Sequence, residues 1–168
     1  MSFSDLLKKL FGGHPGGKDA ARFVTVESEM TTYTQTTDQV IVTAINDEFM
    51  VRWDEQDDAG GLRAKTAART VKLGYSPQAR GKKAEINLIG FQQYRAEPPA
   101  RMTIRIDGRA HDADLRQADS PITFRKSTRL ARDPAVLEIQ VEIVVPRPAL
   151  PGLHPEVKVE SLDVKLHP

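Results

Sequence analysis

Ligand-type side chains crowd at one place in the sequence, where His111 stands with Asp107, Asp112 and Asp114. A divalent cation needs several oxygens or imidazoles converging on one point. In a strand, however, His111 faces away from Asp112 and Asp114, and Arg101, Thr103 and Arg105 share the carboxylates' side. Cross-strand ion pairing therefore accounts for these acids more simply than a metal does. The other histidines, His14, His154 and His167, form no HxH or HExxH spacing, and a chain without cysteine offers no zinc pattern. The acidic run Asp54-Glu55-Gln56-Asp57-Asp58 lacks the alternating Asp/Asn-and-Gly spacing of a calcium loop and is expected to be a solvated loop.

Nucleophile and phosphate chemistry find no better support. Ala59 to Thr66 is similar in outline to the phosphate loop GxxxxGK[ST], but alanine occupies both required glycine positions. The residues that follow it, Ala67 to Leu73, open no helix to hold a phosphate. There is no GxSxG elbow, and serines, histidines and aspartates occur without an informative local arrangement. No catalytic residue, metal or cofactor is nominated, and the expectation is a protein that is not an enzyme. A hydrolase would require converging carboxylates or a Ser–His pair in a deep pocket.

Charge is the remaining chemical signal. Residues 1–58 carry 5 basic and 11 acidic side chains, residues 59–132 carry 16 and 6, and residues 133–168 carry 3 and 6. A net charge of +1 thus hides segments of −6, +10 and −3. The basic middle contains Arg63, Lys65, Arg69, Lys72, Arg80, Lys82 and Lys83 without an acid among them, and later Arg125, Lys126, Arg129 and Arg132. Three readings follow: local neutralisation within the fold, docking on a neighbouring subunit or partner protein, and binding of nucleic acid or acidic phospholipid. For the last, Arg125, Lys126, Arg129 and Arg132 are the contacts, with Tyr75, Phe91, Tyr94 or Phe124 as stacking partners.

At the N-terminus, Phe3, Leu6, Leu7, Leu10 and Phe11 cover one side of a helical wheel, opposite Ser4, Asp5, Lys8 and Lys9. Ser2 suits the N-cap and Gly12 the C-terminal stop, so a short amphipathic helix is expected over 1–11. So short a helix needs a surface to form on: a partner or neighbouring subunit, its own domain, or a membrane interface reached with Lys8 and Lys9. Residues 12–21 read as a Gly-rich tether, which favours docking away from the parent domain. The start lacks the features of a secretory signal, and no apolar run reaches the roughly 18 residues of a membrane span. A cytoplasmic chain is expected.

These groups must be positioned by a body, 22–168, that reads as one antiparallel all-β domain. Val40–Ile45 and Glu48–Trp53 flank Asn46-Asp47 and predict a hairpin pairing Ala44 with Phe49, Val42 with Val51 and Val40 with Trp53. Arg101–Ile106 and Arg109–Asp114 flank Asp107-Gly108 and predict a second, pairing Ile104 with His111 and Thr103 with Asp112. Further strands are expected near Phe23–Glu27, Met30–Thr36, Ala84–Phe91 and Ile122–Leu130. The most regular places Leu137, Ile139, Val141, Ile143 and Val145 inward. In the last segment Val157 and Val159 keep one phase and Leu162, Val164 and Leu166 the other, which a bulge near Glu160-Ser161 reconciles. Asp57 to Ala68 is left as a loop or one short helix, and Pro146 to Pro155 as an extended connector. Arg147 lies near a PxxP pattern there, but its spacing does not suit an SH3 ligand. The expected architecture is a β-sandwich of about eight to ten strands, with a distorted barrel second. Its expected role is a structural or adaptor subunit, docking through Phe3, Leu6, Leu7, Leu10 and Phe11 and through charge-complementary sheet surfaces.

Overall fold

The computed structural model describes residues 20–28, 40–45, 49–94, 97–115 and 119–167. Two antiparallel sheets dominate it, one of them curled into a half-barrel. Its strands are β1 (Phe23–Ser28), β2 (Val40–Ile45), β3 (Phe49–Arg52), β4 (Ala64–Tyr75), β5 (Lys83–Gln93), β6 (Arg101–Ile106), β7 (Arg109–Asp112), β8 (Ser120–Arg129), β9 (Val136–Pro146) and β10 (Glu156–Leu166). Among the described residues one short α-helix, α1, covers Glu55–Ala59. Sheet A has the order β1-β4-β9-β6-β7; sheet B has the order β2-β10-β5-β8, with β3 also paired to β10.

The core follows from period-two patterning. Along β9, Leu137, Ile139, Val141, Ile143 and Val145 are all fully buried, as their alternation predicts. Facing them from sheet B are Ile86 and Leu88 of β5 and Val157, Val159, Leu162 and Val164 of β10, each essentially without exposure. The change of phase in β10 occurs at a register shift between Val159 and Ser161, so the expected bulge is present. It lets both halves of the strand turn their apolar residues inward.

The β6–β7 hairpin has the expected register, with Ile104 opposite His111 and Thr103 opposite Asp112. Its turn residues Asp107 and Gly108 both take positive φ, 48° and 83°, the conformation a two-residue hairpin requires. The other expected hairpin is overturned. Both β2 and β3 run antiparallel to β10, so they share one direction and form successive segments of a single sheet edge. Val42 and Ala44 of β2 and Phe49, Val51 and Trp53 are buried as expected, but β2 and β3 pair with β10 rather than with each other.

Two further readings change. Asp54 to Asp58 is not a solvated loop: Asp54 caps α1, accepting from the backbone N–H groups of Gln56 and Asp57, and Asp57 returns a bond to the Asp54 N–H. This reciprocal capping box fixes the turn that carries the acids. The stretch after it is half loop and half strand, because β4 begins at Ala64. The amphipathic segment with Phe3, Leu6, Leu7, Leu10 and Phe11, the tether up to residue 19 and the strand expected at Met30–Thr36 lie outside the described residues. At Ala20 the chain is anchored to the end of β4: Ser76 Oγ donates to the Ala20 carbonyl and accepts from the Arg22 N–H.

Candidate functional site

The pairing of β5 with β8 unites the two basic runs. Lys83 lies directly opposite Arg129, and the loops beyond each strand end run side by side: the Gly81 N–H donates to the Leu130 carbonyl and the Leu130 N–H to the Lys82 carbonyl. Arg80, Lys82, Lys83, Arg129 and Arg132 therefore gather at one end of sheet B. A 3-10 turn at Pro77–Ala79 and the positive φ of Gly81, 79°, bring the first run there. Like charges placed opposite one another in a sheet destabilise it by a fraction of a kcal/mol, so the Lys83–Arg129 pair opposes folding.

Neutralisation is partial. Arg125 donates through Nε to Asn87 at 3.0 Å and sits 3.3 Å from Glu85. An Asn87 hydrogen bond, then the charges of Arg125, His167 and Lys165, hold the Glu85 carboxyl below its ordinary range, although burial pushes the other way. Arg129 donates to the Gly81 carbonyl at 2.7 Å. Among the described residues, Arg80, Lys82, Lys83, Lys126 and Arg132 have no carboxylate within ion-pair distance. Arg125 and Arg129 share the outer face of β8, whereas Lys126 occupies an inward-phase position opposite buried Ile86 yet remains exposed at the rim.

The earlier part of the basic run is spent differently. Lys65 donates to Asp57 at 3.0 Å and to the Arg52 carbonyl at 2.9 Å. The backbone N–H of Asp54 and then Lys65 lower the Asp57 pKa against the effect of burial. The Arg69 guanidinium lies 5.3 Å from the Phe49 ring centre. Sequence reasoning named Arg125, Arg129, Lys126 and Arg132, and missed Arg80, Lys82 and Lys83 as their neighbours. Only the register of β5 on β8 could have joined them.

The proposed stacking aromatics do not accompany these cations. Tyr75 is buried, its hydroxyl donating to the Ala131 carbonyl at 2.6 Å, and burial followed by Asp107 raises its pKa. Phe124 is half-buried with its ring centre 6.1 Å from that of His111. Phe91 is half-buried, and Tyr94, though 53% exposed, lies beyond the opposite end of β5.

At that opposite end the acids of α1 form a clasp. Trp53 is fully buried; its Nε1–H donates to Asp58 at 2.9 Å, and its carbonyl accepts from His154 Nδ1 at 3.0 Å. Arg147 stacks over the indole at 5.5 Å, meets Asp58 at 3.5 Å and donates to the Leu62 and Asp58 carbonyls at 2.7 and 3.1 Å. The connector that begins there is thus tied into the body rather than being a plain linker.

A cavity of about 420 Å³ opens beside β6 and β7, lined by Pro99, Ala100, Arg101, Met102, Asp112, Ala113, Asp114 and Leu115. Its acid Asp112 accepts from Thr103 Oγ1 at 3.2 Å, and Asp107 of the cluster read from sequence instead accepts from the Glu138 N–H at 2.9 Å. Among the described residues, no three His, Cys, Asp or Glu side chains are grouped to hold a metal ion. No described helix is long and apolar enough to cross a membrane.

No family model and no curated protein matches the chain. Among solved structures it is similar to one of infectious bursal disease virus, Gt strain, with 12% identity and a TM-score of 0.40 over 78% of this chain and 34% of that one. The chain spans about a third of the length of that protein.

Proposed function

We propose that this chain is a non-enzymatic structural or adaptor subunit that docks on an acidic surface of a neighbouring or partner protein through the basic end of sheet B. The supporting observation is the convergence of Arg80, Lys82, Lys83, Arg129 and Arg132, including a like-charged pair set directly opposite in the ladder. An arrangement that opposes folding is consistent with selection for something other than stability. A carboxylate surface would relieve it, and among the described residues no aromatic platform lies beside the cations, which favours protein over single-stranded nucleic acid. The segment carrying Phe3, Leu6, Leu7, Leu10 and Phe11 is the second proposed contact, supplying the apolar burial that charge alone does not.

The second reading is an anionic-surface module taking nucleic acid or acidic phospholipid, favoured by the exposure of Arg125, Lys126, Arg129 and Arg132. One experiment separates the two. The full chain is passed over immobilised polyglutamate, duplex DNA and phosphatidylserine vesicles at several salt concentrations. Docking on protein carboxylates gives retention on polyglutamate that falls with salt and is lost in the Lys83→Glu, Arg129→Glu double variant. Preferential retention on DNA or vesicles would transfer the function to the second reading, and retention unmoved by the double variant would remove the basic end from both.

A further inference from the structure

A charged end alone does not select a partner's conformation, whereas the edge strand β8 can. This ten-residue strand closes its side of sheet B, and among the described residues it pairs with β5 alone. Among the described residues, the other edge of β8 from Ile122 to Arg129 therefore presents a row of backbone donors and acceptors to which an extended chain can add. We infer that β8 is a strand-addition site for an extended acidic segment of a partner protein, an inference that rests on the proposed docking role.

The side chains select the occupant. Arg125 and Arg129 project from the outer face and Lys126 from the inward phase at the rim, so cations flank the edge on both faces. Such charges repel a second basic β8 or a plain apolar strand, which is how natural sheets guard their edges. The same cations favour a strand with carboxylates in matching positions, because directly opposed side chains lie within about 5.5 Å. Arg125 uses Nε for Asn87 and Glu85, which leaves its two terminal nitrogens for an incoming carboxylate. An antiparallel partner meets Arg129, Lys126 and Arg125 in that order, so the favoured spacing is Glu-x-x-Glu-Glu read from its N-terminus.

The test uses the full chain and labelled, end-blocked octapeptides of sequence Thr-Glu-Thr-Val-Glu-Glu-Val-Thr. One control has the same composition with its three acids consecutive at the N-terminus. Two further peptides carry backbone N-methyl groups on alternate residues, one in each phase. An antiparallel edge uses every second N–H of the incoming strand. One methylated peptide should thus bind about tenfold or more weakly while the other stays within about twofold of the parent. The consecutive-acid control should be weaker by about tenfold as well.

Equal binding by both methylated peptides, or by the control, would overturn strand addition; if polyglutamate retention persisted, the docking role would stand without it. No peptide binding would likewise overturn the inference, and loss of polyglutamate retention too would remove both readings. Self-association of the protein that the parent peptide competes away would make a second copy the occupant, against the acidic partner inferred here.

Discussion

Replacing Gly90 by alanine tests how tightly the bulge in β10 is locked against its neighbours. Gly90 lies in β5 opposite Val159, the last residue before the register shift, and opposite Ile122 of β8 on the other side. A Cβ built there falls 2.3 Å from the Lys158 carbonyl oxygen, 3.4 Å from its carbon and 3.6 Å from Ile122 Cβ. The contact is with backbone in a strand held on both sides, so relief requires β5 and β10 to separate by about 1 Å, enough to lose a ladder hydrogen bond worth about 1 kcal/mol. Overpacking adds about 1–3 kcal/mol, while the reduced freedom of the unfolded chain returns about 0.5 kcal/mol. The expected net loss is about 1.5–3.5 kcal/mol, or about 3–14 °C in Tm for a domain of this size. Thermal unfolding followed by circular dichroism, with urea midpoints as a second measure, reads this directly. A Tm within about 2 °C of the parent would show that β10 yields easily and refute the account of the bulge as a fixed register device.

Three other outcomes are expected. Lys83→Gln should raise stability by a few tenths of a kcal/mol by removing repulsion from Arg129, yet weaken polyglutamate binding; a loss of stability would deny that the pair is repulsive. Glu85→Gln should lower the urea midpoint near neutral pH, by an amount that shrinks once pH drops beneath the ordinary glutamate pKa and vanishes below the lower folded one, since a carboxyl held low in the fold contributes stability above its unfolded pKa and loses it as pH falls through the folded one. A midpoint difference that persists undiminished in acid would contradict this. Deleting residues 1–17 should leave a folded domain with a smaller assembly mass, and an unchanged mass by light scattering would remove Phe3, Leu6, Leu7, Leu10 and Phe11 as anchors.

How much could be read beforehand depended on whether the deciding interaction was local. The alternation of β9, the phase change in β10 and the Asp107-Gly108 turn are each encoded within a few residues, and each appears as expected. Asn46-Asp47 was ambiguous because a turn and an interruption between two segments of one edge have the same local signature; β10 decides between them from far along the chain. β4 was hidden by Ala64, Ala67, Ala68 and Gly74, whose small side chains blur the contrast between faces, although Val71, Leu73 and Tyr75 are buried. The basic surface was half legible. Arg125 to Arg132 is a visible run, but its joining to Arg80, Lys82 and Lys83 depends on strand order, which charge pattern does not carry.

The clasp around Trp53 also makes the molecule self-reporting. The chain contains a single tryptophan, and its indole is fully buried, hydrogen-bonded to a carboxylate and covered by a guanidinium. Its emission is therefore a one-site optical signal that needs no label and shifts to the red when water reaches the ring. It sits about 30 Å along the strands from the basic end. A spectral change on loading the β8 edge would register a movement transmitted through sheet B, while a silent spectrum would mark the edge as mechanically independent of its far end.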